Sequence, residues 1–347
     1  MDKKKLITSL VFIIIVGVVI ISLTVSKKSY AVGTTLVDTV KALSSGSSWS
    51  AGASGVYYTN SHEYRYIGAE VNNYVSFNND LYRIIGVFDS NSHGVSGTEM
   101  VKLIRARTLG GASWGVYNTD SSTGTYSGVA NDWTGKSKTS KANLNVLLNE
   151  YFYNKTGTSS TYGDCANWTY FYSKNDNGYK TKDCSDIITY GIDSSLRGYI
   201  ENATWYLYGS GTNQSKQNWY LCERGGNSCT TSGPNTGDAS VTSKMGLMYL
   251  SDYLYASGYY SSTDTTTQTA KYYGNKNWLY KGWEWTQTPY ASGADRVWFV
   301  GDGPAYIFSS IYPCGWRPTF YLKSSVYVTG GGGSFDNPYT LGCDNCS

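Results

Sequence analysis

Residues Trp283–Leu322 read WEWTQTPYASGADRVWFVGDGPAYIFSSIYPCGWRPTFYL, and the reading of this stretch as a β-hairpin decides the fold. Arg296–Val300 (RVWFV) is aromatic and β-branched, which suits a pleated strand. Gly301-Asp302-Gly303 supplies the turn, because glycine tolerates positive φ. Ala305–Ser310 starts the return, and the stretch closes on Gly315-Trp316-Arg317-Pro318 and a strand over Thr319–Leu322. No nucleophile–base arrangement accompanies it. Its residue types bind rather than react.

Working outward, Asn73–Phe77 reads as a strand, Asn78-Asn79-Asp80 as a turn and Leu81–Phe88 (LYRIIGVF) as a second strand. Met100–Arg107 alternates and is expected beside it. Asn143–Phe152 places Leu144, Leu147, Leu148 and Tyr151 at helical spacing, with Ser140 as a candidate N-cap. Ile187–Tyr206 reads as one or two helices broken near Gly191, and Lys244–Tyr249 as a buried strand or loop. Polar loops fill residues 156–183, 209–242 and 259–275. Short antiparallel sheets, two or three helices and long loops make an α+β class.

The 347 residues are 40% hydrophobic, enough for a packed core, and the apolar content is rich in rings: 34 Tyr, 11 Trp and 9 Phe. Only 15% of residues are charged, against about 25% in ordinary soluble domains. The rigid-aromatic, small-polar mixture resembles that of antibody binding loops; the plainer reading is Tyr replacing Leu at half-buried strand positions. Of the 28 basic and 25 acidic residues, five lysines and one aspartate lie in residues 1–31, leaving 23 basic and 24 acidic. A nearly neutral remainder gives no basis for nucleic-acid binding.

Lys3-Lys4-Lys5 precede the uncharged run Leu6–Val25, long enough at about 1.5 Å per residue to cross a bilayer. Lysines before it favour a cytoplasmic N-terminus and an external remainder. Residues 1–31 are therefore read as a membrane anchor or signal peptide, with Ser29-Tyr30-Ala31 as a passable cleavage site. Residues 32–56 read as a Ser/Gly-rich stalk, flexible over Ser44–Gly55 with a short helix as an option over Thr35–Leu43, 57–329 as the ectodomain and 330–347 as a peripheral Gly/Cys-rich tail. Seven cysteines agree with an oxidising exterior. Cys222 with Cys229 and Cys165 with Cys184 are plausible local disulfides. Cys343 and Cys346 pair with each other or bridge elsewhere, and Cys314 is left as a buried free thiol or a partner for the tail.

Asn73-Tyr74-Val75, Leu81–Phe88, Val101–Arg105, Gly246-Leu247-Met248-Tyr249, Asn277-Trp278-Leu279-Tyr280, Trp285-Thr286-x-x-Pro289-Tyr290, Val297–Val300 and Gly315-Trp316-Arg317-Pro318 occur in this order. Over residues 57–341 that order resembles an uncharacterised family of signal-anchored surface proteins from Gram-positive gut bacteria. The part from 278 to 322 is similar to the C-type-lectin-like fold of formylglycine-generating (sulfatase-modifying) domains and retroelement-diversified proteins. The resemblance implies a fold, an outer-surface location and a ligand surface on the late strands and their loops. The corresponding positions are Trp283, Trp285, Tyr290, Asp295, Arg296, Trp298, Asp302, Tyr306, Phe308 and Tyr312. If Val297, Phe299 and Ile307 face inward, then Arg296, Trp298, Val300, Tyr306 and Phe308 face outward; the opposite register makes Trp298 and Phe308 core.

Arg317 is expected to be structural, held by a buried carboxylate such as Asp132. Lectin-type calcium strings are missing from the sequence, so no metal or cofactor is expected. His62 and His93 are the only histidines, and neither lies in a pattern that suggests a catalytic base. A carboxylate pair for sugar cleavage would have to come from Glu63, Glu70, Glu150, Glu201 or Glu284, and an oxidase would need a second reduced cysteine beside Cys314. The leading expectation is a membrane-tethered extracellular binding module that recognises a cell-surface glycan or protein. A structural or pilus-like subunit comes next, then a glycosidase or cysteine-dependent oxidase. The sequence does not fix the oligomeric state.

Overall fold

The first described residues fold where a stalk is expected. The computed structural model describes residues 33–49, 52–115, 133–134, 141–165, 184–212, 214–226, 238–258, 277–293, 296–301, 305–310 and 313–346; the expected anchor, residues 1–31, lies outside them. Leu36–Lys41 forms helix α1, capped by the Thr35 hydroxyl, which accepts from the Asp38 N–H at 3.0 Å. Leu36, Val37 and Val40 face the core, and the Leu36 N–H donates to Val326 O. Beyond the helix, Ser45 N–H donates to Val56 O and Gly46 O accepts from Tyr58 N–H. The apolar stripe of α1 and these edge-pairing bonds fold residues 33–46 onto the body, so the stalk expectation is corrected.

The first sheet is built on one long strand. Its members are β1 (Gly55–Tyr58), β2 (Tyr64–Ile67), β3 (Tyr74–Phe77), β4 (Asp80–Phe88), β5 (Met100–Arg105) and, from far along the chain, β15 (Thr319–Tyr321). The strands run in the order β1-β2-β4-β5-β15, all antiparallel, and β3 pairs with the first half of β4. Asn78 and Asn79 both have positive φ (58° and 55°) between the Phe77–Asp80 pair, the geometry of a two-residue primed turn. Where β4 passes β2, a Cβ on Gly86 would fall on Tyr64 O. Only glycine lets the two backbones come that close.

The second sheet contains the predicted hairpin. In chain order its strands are β6 (Leu109–Ser113), β11 (Glu284–Pro289), β12 (Arg296–Val300), β13 (Ala305–Ser309) and β14 (Pro313–Trp316), arranged β13-β12-β11-β14-β6 with β11 and β14 parallel. Between the two sheets in sequence lie the short pairs β7 (Thr158–Ser159) with β8 (Gly163–Asp164) and β9 (Ala203–Tyr206) with β10 (Ser240–Ser243). The tail is not peripheral. β16 (Tyr327–Gly330) pairs with β17 (Thr340–Gly342), and Tyr339 exchanges backbone hydrogen bonds with Tyr74 and Ser76 at the edge of β3.

Helices are short and more numerous than expected. After α1 come α2 (Ser90–His93), α3 (Asn143–Val146, continued by π-helical turns over Leu147–Phe152), α4 (Ser185–Tyr190), α5 (Lys216–Glu223) and α6 (Leu250–Tyr255), with a 3-10 segment at Ser194–Tyr199. The predicted break at Gly191 is present. A Cβ there would lie 2.8 Å from Phe152 O, so the chain turns against α3 at that point. Residues Met245–Tyr249 are a buried loop. The candidate cap Ser140 lies outside the described residues. The chain is thus a mixed α+β protein, mostly antiparallel sheet with few and short helices.

A buried ion network joins these parts. Asp252 on α6 accepts from Arg65 Nη1 of β2 at 2.9 Å and from Lys102 Nζ of β5 at 2.6 Å, and it caps its own helix through the Tyr249 N–H. Arg65 also holds Glu63 at 2.6 Å. Lys102 Nζ sits over Tyr249, Trp205, Tyr321 and Phe88 at 4.4–5.6 Å, close enough for cation–π attraction. Burial works against the charge of Asp252, but Lys102 and Arg65 together outweigh it and bring the carboxyl down to about 2. Burial pulls Lys102 down to about 8, against the attraction of Asp252.

Two outcomes test this network. Asp252→Ala leaves the buried Lys102 without a carboxylate and Arg65 with Glu63 alone, and is expected to cost about 3–5 kcal/mol in urea unfolding. Lys102→Met keeps the Arg65–Asp252 pair and puts an apolar chain among the four rings, and is expected to cost no more than about 1–2 kcal/mol. Because the folded Asp252 carboxyl titrates below its ordinary 3.8, the unfolded state binds more protons between those two values. Its contribution is complete above about pH 4 and is lost as pH falls towards 2, by roughly 2 kcal/mol. Urea midpoints at stepped acid pH check this, and Asp252→Asn should flatten the acid slope.

Candidate functional site

The hairpin register decides which rings meet solvent. Val297 pairs with Phe308, Trp298 with Ile307 and Phe299 with Tyr306. Cross-strand partners share a face, so Phe299, Tyr306 and Phe308 lie together, and Trp285, opposite Phe299, joins them. Trp298 points the other way. The expected split put Phe299 inward and Tyr306 and Phe308 outward, which this register forbids. Trp298 is buried at 2% exposure; it packs on Trp219 of α5 at 5.0 Å and donates from Nε1 to Ser210 O at 3.1 Å. Trp298 and Trp285 are core, and Trp285 Nε1 donates to Ala112 O. Both are corrected from ligand positions to framework.

The opposite face carries a ring cluster. Phe299 is met by Phe308 at 5.1 Å, Trp283 at 5.4 Å and Tyr306 at 5.7 Å. Trp283 is 49% exposed and Tyr306 37%, with Phe308 half-buried between them. Of the remaining predicted positions, Arg296 is exposed and Tyr290 half-buried against Trp298. Asp295, Asp302 and Tyr312 lie outside the described residues.

Arg317 has the structural role the sequence suggested, with a different partner. Its Nε and Nη2 grip Glu284 at 2.6 and 2.7 Å, and Nη2 also donates to Leu279 O. The proposed partner, Asp132, lies outside the described residues. Glu284 belongs to β11 of the second sheet, and Arg317 lies in the two-residue crossover from β14 (ending at Trp316) of that sheet to β15 (starting at Thr319) of the first, so this fork fixes the point where the chain passes between the sheets.

A cavity of about 630 Å³ opens between the connection after β2 (residues 69–72), Tyr74 and Arg83 of the first sheet, residues 277–281 and Phe335. Sequence reasoning missed it, because its walls come from four separated segments. Arg83 donates to Asn73 Oδ1, Trp278 O and Val71 O, and its guanidinium lies 4.3 Å from the Tyr74 ring and 4.5 Å from that of Trp278.

Three of the candidate carboxylates are engaged by cations. Glu63 is held by Arg65 and by the Ser92 hydroxyl, and Glu284 by Arg317. Glu150 faces Lys141 at 3.7 Å. The sequence did not single out Glu223, which is fully enclosed. Burial raises its carboxyl above the ordinary range, and it accepts from the Thr288 hydroxyl and the Ser251 N–H. His93 is buried, and desolvation lowers its imidazole so that it stays neutral at pH 7; one ring nitrogen meets Phe88 O at 3.1 Å. Among the described residues, one cluster has metal-ligand composition, Asp164 with Cys165 and Cys184, and both of its sulfurs are spent in a disulfide.

Cys165–Cys184 and Cys343–Cys346 are disulfides with Cα separations of 6.2 and 5.6 Å, as suits chemistry in an oxidising compartment. Cys222 is also disulfide-bonded; its expected partner, Cys229, lies outside the described residues. Cys314 is a buried free thiol, which burial pushes up to about 12. Among the described residues, no helix is long and apolar enough to cross a membrane. Compared with known proteins, the chain matches no family model, no curated protein and no solved structure.

Thiol titration checks the cysteine assignment. The native protein is expected to react with no equivalent of a thiol-specific disulfide reagent, and unfolding without reductant should release one thiol per chain, that of Cys314. Three thiols would place Cys222 and Cys229 in the reduced state.

Proposed function

We propose that this chain is an extracellular binding module, tethered to a membrane by its N-terminal segment, that recognises a cell-surface glycan through the ring face of the hairpin. On this reading the second sheet is the ligand-bearing part of a C-type-lectin-like fold, as in the surface-protein family that the sequence resembles. The observation that carries the proposal is the pair of exposed rings, Trp283 and Tyr306, both packed on the buried Phe299. Rings fixed by a sheet lose little freedom on binding, and their faces stack on the apolar faces of sugars. Scattered exposed apolar residues need no explanation, but neighbouring aromatic rings on a rigid frame are the usual anchors of a recognition patch. The disulfides support an outer-surface location.

A glycan array probed with the purified protein tests this. Trp283→Ala and Tyr306→Ala are each expected to weaken binding about tenfold, roughly 1.4 kcal/mol, with the urea midpoint nearly unchanged. Trp298→Ala, by contrast, should lower stability, because it empties a core site. Unaltered binding in both ring variants would remove the hairpin face as the site.

A further inference from the structure

The cavity beside β3 carries a charge imbalance that five other buried cations do not show. Arg65, Lys102, Arg105, Arg224 and Arg317 are each matched by a carboxylate within 4 Å. Arg83 is as deeply placed, at 3% exposure, yet its donors end on one side-chain amide oxygen and two backbone carbonyls, all neutral. A buried cation without an anion is costly. Burial brings its guanidinium down to about 10 despite the neighbouring Tyr74, and Arg317 adds repulsion. Lys281, also on the cavity wall, is lowered by burial and then by the charges of Arg83 and Arg317. The carboxylate of Glu70 is the one acid of the wall, and Glu70 is exposed. The lining therefore carries two cations against one anion.

The remaining wall is aromatic. Tyr74 covers Arg83, Phe335 stands edge-on to Tyr74 at 5.5 Å, and Phe335 is 61% exposed, the most exposed of the large apolar side chains described. Its phenyl ring closes one side of a cationic floor. The volume lies within the range of small-molecule sites. We propose that this cavity is a second ligand site, which takes a sugar acid: the carboxylate meets Arg83 and Lys281, the pyranose ring lies against Phe335 and Tyr74, and Glu70 accepts from a hydroxyl. A net charge of one favours a monoanionic carboxylate over dianionic phosphate, and ring walls favour a cyclic ligand over a free anion. The site shares no residue with the Trp283–Tyr306 face and stands whether or not that face binds.

Calorimetric titration of the full chain tests it with D-glucuronate, D-galacturonate and N-acetylneuraminate, their neutral counterparts D-glucose and D-galactose, and inorganic phosphate. At least one sugar acid is expected to bind at least tenfold more tightly than the neutral sugars and than phosphate. Lys281→Glu and Phe335→Ala, both at exposed positions, are expected to weaken that binding at least tenfold, and Arg83→Met to remove it. Trp283→Ala with Tyr306→Ala is expected to leave it unchanged. The proposal is overturned by no binding of any sugar acid, by equal affinity for acid and neutral sugars, by tighter binding of phosphate, or by loss of binding in the Trp283/Tyr306 variant. Should Arg83→Met fail to fold, wild-type affinity in both Lys281→Glu and Phe335→Ala overturns it equally.

Discussion

One carboxylate, that of Asp252, sets the relation between the parts of this molecule. It stands 187 residues from Arg65 and 150 from Lys102 along the chain, yet it accepts from both and also starts the helix that bears it. The docking of helix α6 is register-specific, because a shift of a residue would leave Lys102 facing apolar rings with no carboxylate and Arg65 with Glu63 alone. Such burial gives little net stability when complete and costs much when broken. Its consequence is specificity of arrangement, with β2, β5 and α6 fixed together. The Arg317–Glu284 fork does the same at the crossover between the two sheets. With the sheets held, the hairpin is a rigid platform rather than a loop, and the ring face on it keeps its geometry without a ligand.

Local features were legible in the sequence because they depend on local chemistry. The hairpin strands, the Asn78-Asn79 turn, the helix over Asn143–Phe152 and the break at Gly191 all follow from residue type and spacing within a dozen positions. The hairpin faces were misjudged for a definable reason. Alternation along one strand gives two faces, but which faces of two strands coincide depends on pairing across a turn of unknown length. Once Phe299 is set opposite Tyr306, the faces of all the rings follow. Trp298 then has to be core, and its indole N–H finds the Ser210 carbonyl, far away in sequence.

The ends of the chain misled for a different reason. Ser and Gly stretches resemble linkers by composition, yet small side chains are also what an edge strand tolerates when another backbone lies beside it. Residues 44–46 use that freedom beside β1, and in the glycine-rich tail it is Tyr339 that covers the edge of β3; uncovered edges would invite association with other chains. The Arg65–Asp252–Lys102 network and the Arg83 cavity were illegible in principle from one sequence. Each is assembled from segments more than a hundred residues apart, and a lone Arg or Lys on a strand carries no mark of its eventual partner.

The abundance of aromatic residues takes on a different meaning once the charges are placed. Arg65 lies 4.6 Å from Phe88 and 4.7 Å from Tyr255, Lys102 is ringed by Tyr249, Trp205, Tyr321 and Phe88, Arg105 lies 4.2 Å from Tyr190, and Arg224 3.8 Å from Tyr220. Electron-rich faces soften the cost of taking cations out of water, so a core that uses buried ion pairs as joints needs rings around them. Much of the tyrosine and tryptophan content therefore serves the interior. Trp283, Tyr306 and Phe335 are among the most exposed large apolar side chains described, and lie on two different frames. Among the described residues, these three are the aromatic side chains on which the two proposed recognition surfaces rest.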